Sequence, residues 1–84
     1  MKVDIYRREE PGARFSYLIV PHDQRIPQEA ENTDWHMRQM NVHIDEAAQH
    51  LHPYEVERPQ AQIDEKGYAI TRLADQVPAH KASV

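Results

Sequence analysis

Apolar and polar positions alternate near both ends of the chain. Residues 2–8 read Lys-Val-Asp-Ile-Tyr-Arg-Arg, and Val3 and Ile5 alternate with Lys2 and Asp4. That is the period-two pattern of a half-buried strand. Glu9-Glu10-Pro11-Gly12 follows, a polar stretch ending in a turn signal. Ala13 to Val20 is rich in aromatic and branched residues. Phe15, Tyr17 and Ile19 share one face; Leu18 and Val20 lie on the other. Two strands with a short Gly-containing connection predict a hairpin. Its second strand is apolar on both faces near its end, which a lone hairpin has no use for. A helix, a neighbouring strand or another subunit must cover the second face.

Residues 21–33 are polar, contain Pro21 and Pro27, and read as a loop with Ile26 as its anchor. Over residues 34–52, Met37, Met40, Ile44, Ala47, Ala48 and Leu51 fall on one helical stripe. Their spacing predicts an amphipathic helix, capped by Thr33 or Asp34 and stopped by Pro53. Trp35 and Val42 fall on the opposite face, and Asn41-Val42-His43-Ile44 has the look of a short strand. The expectation is therefore a helix, either continuous or broken near Asn41. Pro59 and Gly67 bracket a short helix over 59–66, with Ile63 facing inward. Residues 68–73 alternate as a last strand, with Tyr68 and Ile70 on one face.

This order predicts an α+β fold. A small three-stranded antiparallel sheet (the N-terminal hairpin plus the C-terminal strand) carries helical segments on one face. The last strand pairs with the first or the second. Residues 1–74 form the domain and residues 75–84 a flexible polar tail. Such a sheet has two open edges and can form a homodimer through one.

Composition narrows the function. Only sixteen of the 84 residues are Val, Ile, Leu or Phe, so the core is small. There are no cysteines, which excludes disulfides, thiolate zinc sites and cysteine nucleophiles, and favours the cytoplasm. No apolar run is long enough to span a membrane, and the first residues lack the apolar stretch of a signal peptide. The net charge of −4 is uneven. Residues 1–21 carry +1, residues 22–57 carry −6 and residues 58–84 carry +1. An acidic middle opposes binding to nucleic acid and to anionic membranes.

Two segments carry a family resemblance: Met1-Lys2-Val3-Asp4-Ile5-Tyr6-Arg7-Arg8 and Gln62-Ile63-Asp64-Glu65-Lys66-Gly67-Tyr68-Ala69-Ile70-Thr71. With Phe15-Ser16-Tyr17-Leu18 and Asp34-Trp35 between them, residues 1–72 resemble a small proteobacterial family of uncharacterised proteins. The resemblance implies a bacterial, cytoplasmic, stand-alone domain. It brings no activity, cofactor or catalytic residue with it.

Candidate chemistry is sparse. The serines are Ser16 and Ser83 and the glycines Gly12 and Gly67, so there is no nucleophile elbow and no phosphate-cradling loop. No catalytic residues and no cofactor are expected, and the chain reads as a non-enzyme. Histidine is the enriched functional residue, with six copies. His36, His43 and His50 are spaced by seven, two turns apart on a helix and too far to share one ion. His50 and His52 can chelate together if residue 51 is extended. Glu46 stands at i and i+4 to His50 in the helical reading, so Glu46, His50 and His52 make a metal candidate. The bland reading of the same residues is a solvated polar face. Trp35, Tyr6 and Tyr54 are the candidates for partner contact. The sequence thus predicts a protein-interaction or accessory domain with an unknown protein partner. A weak metal-binding module using His50 and His52 is the alternative.

Overall fold

The computed structural model describes residues 1–26 and 34–81. The expected hairpin forms from β1 (Lys2–Glu10) and β2 (Arg14–Pro21), in a register that pairs Val3 with Pro21 and Glu10 with Arg14. The connection needs left-handed backbone, at φ 83° for Gly12 and 55° for Ala13.

The sheet is larger than the three strands expected. His36–His43 forms β3, antiparallel to β1 on its open side, where Lys2 faces His43 and Arg7 faces His36. The helix expected over 34–52 is therefore absent. Pairing along β1 supplies interstrand hydrogen bonds that a marginal helical stripe cannot outweigh. Met37 and Met40, on that stripe, are 41% and 62% exposed. Val42 and Ile44, two residues apart, turn into the core instead. Two register shifts interrupt the β1–β3 pairing. At one of them Asn41 adopts φ 59° and donates its amide to the buried Asp4 carboxylate at 2.9 Å. Asn41 is left-handed as a helix-ending residue would be, but it sits in a bulge.

Further along, β4 (His50–Leu51) and β5 (Val56–Glu57) form a separate two-stranded hairpin. The expected short helix is α1, Pro59–Lys66, closed by Gly67 at φ 89° with its amide on the Ile63 carbonyl. Then β6 (Ala69–Ile70) pairs with β2 at Ile19 and Leu18. The last strand thus joins the second strand and not the first. A 3-10 turn at Leu73–Asp75 leads to β7 (Val77–Pro78), which pairs with β2 at Phe15 and Arg14. Within the segment expected to be a flexible tail, Val77 is buried in the core, because its side chain completes the layer beside Phe15. Residues 82–84 of that tail, and residues 27–33 of the expected loop with the Thr33 cap, lie outside the described residues.

Among the described residues the architecture is a small antiparallel α+β fold, a five-stranded sheet with one α-helix. Strand alternation sorts the apolar residues onto two faces. Val3, Ile5, Tyr17 and Ile19 meet Tyr54, Val56 and Ile63, so the β4–β5 hairpin and α1 cover the first face. On the second face Leu18 and Val20 are buried beneath Tyr6, Ile26, Trp35, Tyr68 and Ile70. Ile26 is the loop anchor the sequence predicted. The sheet's edges are blunt: β3 is bulged, and β6 and β7 have two residues each.

Candidate functional site

Two regions carry the candidate residues. The first is the tip of the β4–β5 hairpin. His50 and Glu57 are directly opposed across it. Residue 51 is extended, so His50 and His52 project to the same side, and their rings lie 4.2 Å apart. His52 precedes Pro53 through a cis bond in the connecting turn. Glu55 reaches back to both rings. Its Oε2 lies 2.5 Å from His50 Nε2, and its Oε1 lies 3.4 Å from His52 Nδ1. On the far side of the imidazole, Glu57 Oε1 holds His50 Nδ1 at 2.8 Å.

Burial alone lowers the His50 pKa. Hydrogen bonds to Glu55 and Glu57, together with their charges, outweigh it and raise the imidazole above the ordinary histidine value. One donor atom from each of His50, His52 and Glu55 lies within 4.8 Å of the others. Glu46 does not join them. It depended on helical spacing that the chain does not adopt, and it lies exposed, 3.8 Å from the Met1 amino group. Sequence reasoning missed Glu55 and Glu57 because only the hairpin register puts them against His50. The remaining described histidines lie elsewhere. His22 Nδ1 pairs with Asp4 Oδ1 at 2.8 Å, and His36 and His43 sit at the two ends of β3.

The second region is the outer face of the sheet. Tyr6, Trp35 and Tyr68, three of the six aromatic residues, are half-buried there over Leu18 and Val20. Burial first, and then the Asp4 carboxylate, raises the Tyr6 phenol above its usual pKa, so it stays a neutral hydroxyl. The Arg8 guanidinium stacks 4.4 Å above the Trp35 ring, and the Lys66 ammonium stands 5.0 Å from the Tyr68 ring. The apolar residues of α1 and of the β4–β5 hairpin that pack on the sheet, namely Ile63, Leu51, Tyr54 and Val56, all belong to the opposite face. Tyr54 is therefore not at the surface with Tyr6 and Trp35. It is 6% exposed, packs edge-on against Tyr17 with ring centres 5.1 Å apart, and donates its hydroxyl to Gln39 Oε1.

A family model described as a family of unknown function (DUF6139) matches residues 1–77, and the chain belongs to that family. No curated protein and no solved structure matches the chain. Among the described residues no helix is long and apolar enough to cross a membrane.

Proposed function

We propose that this member of the DUF6139 family is a non-enzymatic protein-interaction domain whose partner docks on the outer face of the sheet. One observation carries the reading: Tyr6, Trp35 and Tyr68 gather, half-buried, on the face opposite the one on which the apolar residues of α1 and the β4–β5 hairpin pack. Aromatic side chains with an apolar body and a polar tip are the residues most enriched at interface anchors. Arg8 and Lys66 place cations at the rim of the same patch. The partner that fits is a protein surface with apolar side chains rimmed by carboxylates. The acidic middle of the chain disfavours nucleic acid and anionic membranes as partners. A chain without cysteine suits the reducing cytoplasm.

The test compares capture by the wild type, by Tyr6→Ala and Tyr68→Ala, and by Asp64→Ala on the exposed side of α1. The captured protein is then purified and titrated against each. The reading expects Asp64→Ala to bind as the wild type does, and each aromatic variant to bind at least about tenfold more weakly. Equal affinity in all four proteins overturns it.

A further inference from the structure

We propose that the tip of the β4–β5 hairpin is a divalent metal site of the zinc class. Its ligands are His50 Nε2, His52 Nδ1 and a Glu55 carboxylate oxygen. This inference is independent of the interaction face, which lies on the other side of the sheet from the hairpin.

Three features carry it. The first is donor spacing. In a tetrahedral zinc site, ligand bonds near 2.0–2.1 Å put neighbouring donor atoms about 3.3 Å apart. His52 Nδ1 and Glu55 Oε1 already stand at 3.4 Å, and the whole donor set lies within 4.8 Å. The second is donor chemistry. Two imidazoles and a carboxylate form a borderline set that suits zinc-class ions rather than calcium or magnesium. The third is the support behind the ligand. Glu57 holds His50 Nδ1 at 2.8 Å, which fixes the ring and aims Nε2 at the site, the carboxylate–histidine–metal arrangement.

The site also has an open side. His52, Pro53 and Glu55 line a groove together with Val77, Pro78 and Lys81. Water can reach a fourth coordination position from there. Without the ion, Glu55 bonds to His50; with it, the proton between them leaves and both donors turn to the cation.

The experiment is calorimetric titration of Zn²⁺ into the full chain at about pH 7.5. The expected result is one saturable site per chain with a dissociation constant below about 100 μM. His52 is 74% exposed, so His52→Ala leaves the fold intact. It is expected to weaken binding at least about tenfold. Glu57→Gln is expected to weaken it about tenfold through loss of ring orientation alone. His43→Ala, at the end of β3, is expected to bind as the wild type does. Replacing zinc by Co²⁺ gives the intense visible bands of a four-coordinate ion, and His52→Ala abolishes them. Absence of saturation up to about 1 mM Zn²⁺ overturns the proposal. So does binding that survives His52→Ala and Glu55→Ala, or binding that is lost with His43→Ala.

Discussion

Tyr17 and Thr71, 54 residues apart in sequence, are hydrogen-bonded in both directions. The Tyr17 amide donates to Thr71 Oγ1 at 3.0 Å, and the Thr71 amide donates to the Tyr17 carbonyl at 3.0 Å. The same hydroxyl donates to the Tyr54 carbonyl at 2.9 Å. One buried side chain thus fills the gap between β6 and the turn leading to β7 along β2, and ties the sheet to the β4–β5 hairpin. Thr71→Val keeps the shape and removes the hydroxyl's hydrogen bonds to the Tyr17 amide and the Tyr54 carbonyl. It is expected to cost about 1–3 kcal/mol in urea denaturation. Thr71→Ser keeps the hydroxyl and is expected to cost less than about 1 kcal/mol, the loss of one methyl group.

Asp4 is a buried carboxylate in the middle of β1. Its Oδ1 accepts the bulged Asn41 amide at 2.9 Å and pairs with His22 Nδ1 at 2.8 Å. It therefore fixes both the β3 bulge and the turn after β2. Asp4→Ala is expected to destabilise the domain by about 2 kcal/mol, since hydrogen bonds to a charged acceptor are lost and a buried donor is orphaned. Asp4→Asn keeps an acceptor oxygen and is expected to lose less. Thermal unfolding of both variants followed by circular dichroism checks the order.

Gly67 ends α1 at φ 89°, and a Cβ added there meets nothing within 4 Å. The cost of Gly67→Ala is therefore conformational rather than steric against a neighbour. About 1 kcal/mol is expected, with the helix retained. A shift in urea midpoint at unchanged slope is the signature.

His50 supplies a pH dependence in the metal-free protein. Its pKa is raised above the ordinary 6.5, so the folded state favours the imidazolium. The resulting stabilisation is fully present below the unfolded pKa. It is lost as pH rises through the folded value. A proton NMR titration of the His50 ring is expected to give a midpoint above 6.5 in the wild type and a lower one in Glu57→Gln. A wild-type midpoint at or below 6.5 contradicts the Glu55–His50–Glu57 geometry.

What the sequence made legible follows from where local signals agree with tertiary contacts. The β1–β2 hairpin and α1 carry their own turn and cap residues, and both form as the pattern implies. The His50–His52 pairing needed one condition, an extended residue 51, and β4 meets it. Glu46 was tied to a helix, and it fell away with the helix. β3 is legible only at its end, where Asn41-Val42-His43-Ile44 has the look of a strand; before that its alternation is broken by the Asn41 bulge, while Met37 and Met40 share a helical stripe. Tyr54 could not be sorted from Tyr6, since an isolated Tyr between Pro53 and Glu55 carries no periodicity. Val77 was hidden for a related reason: a two-residue strand has no pattern to read.

The interaction face is tested most directly through Trp35, the single tryptophan of the chain. Labelled with 5-fluorotryptophan, the protein gives one fluorine resonance from that face alone. Docking predicts that the resonance shifts or broadens when the captured partner is added, and that Tyr68→Ala at the same concentrations suppresses the change. A Trp35 resonance that stays unchanged while the partner is shown to be bound places the contact elsewhere and contradicts the account.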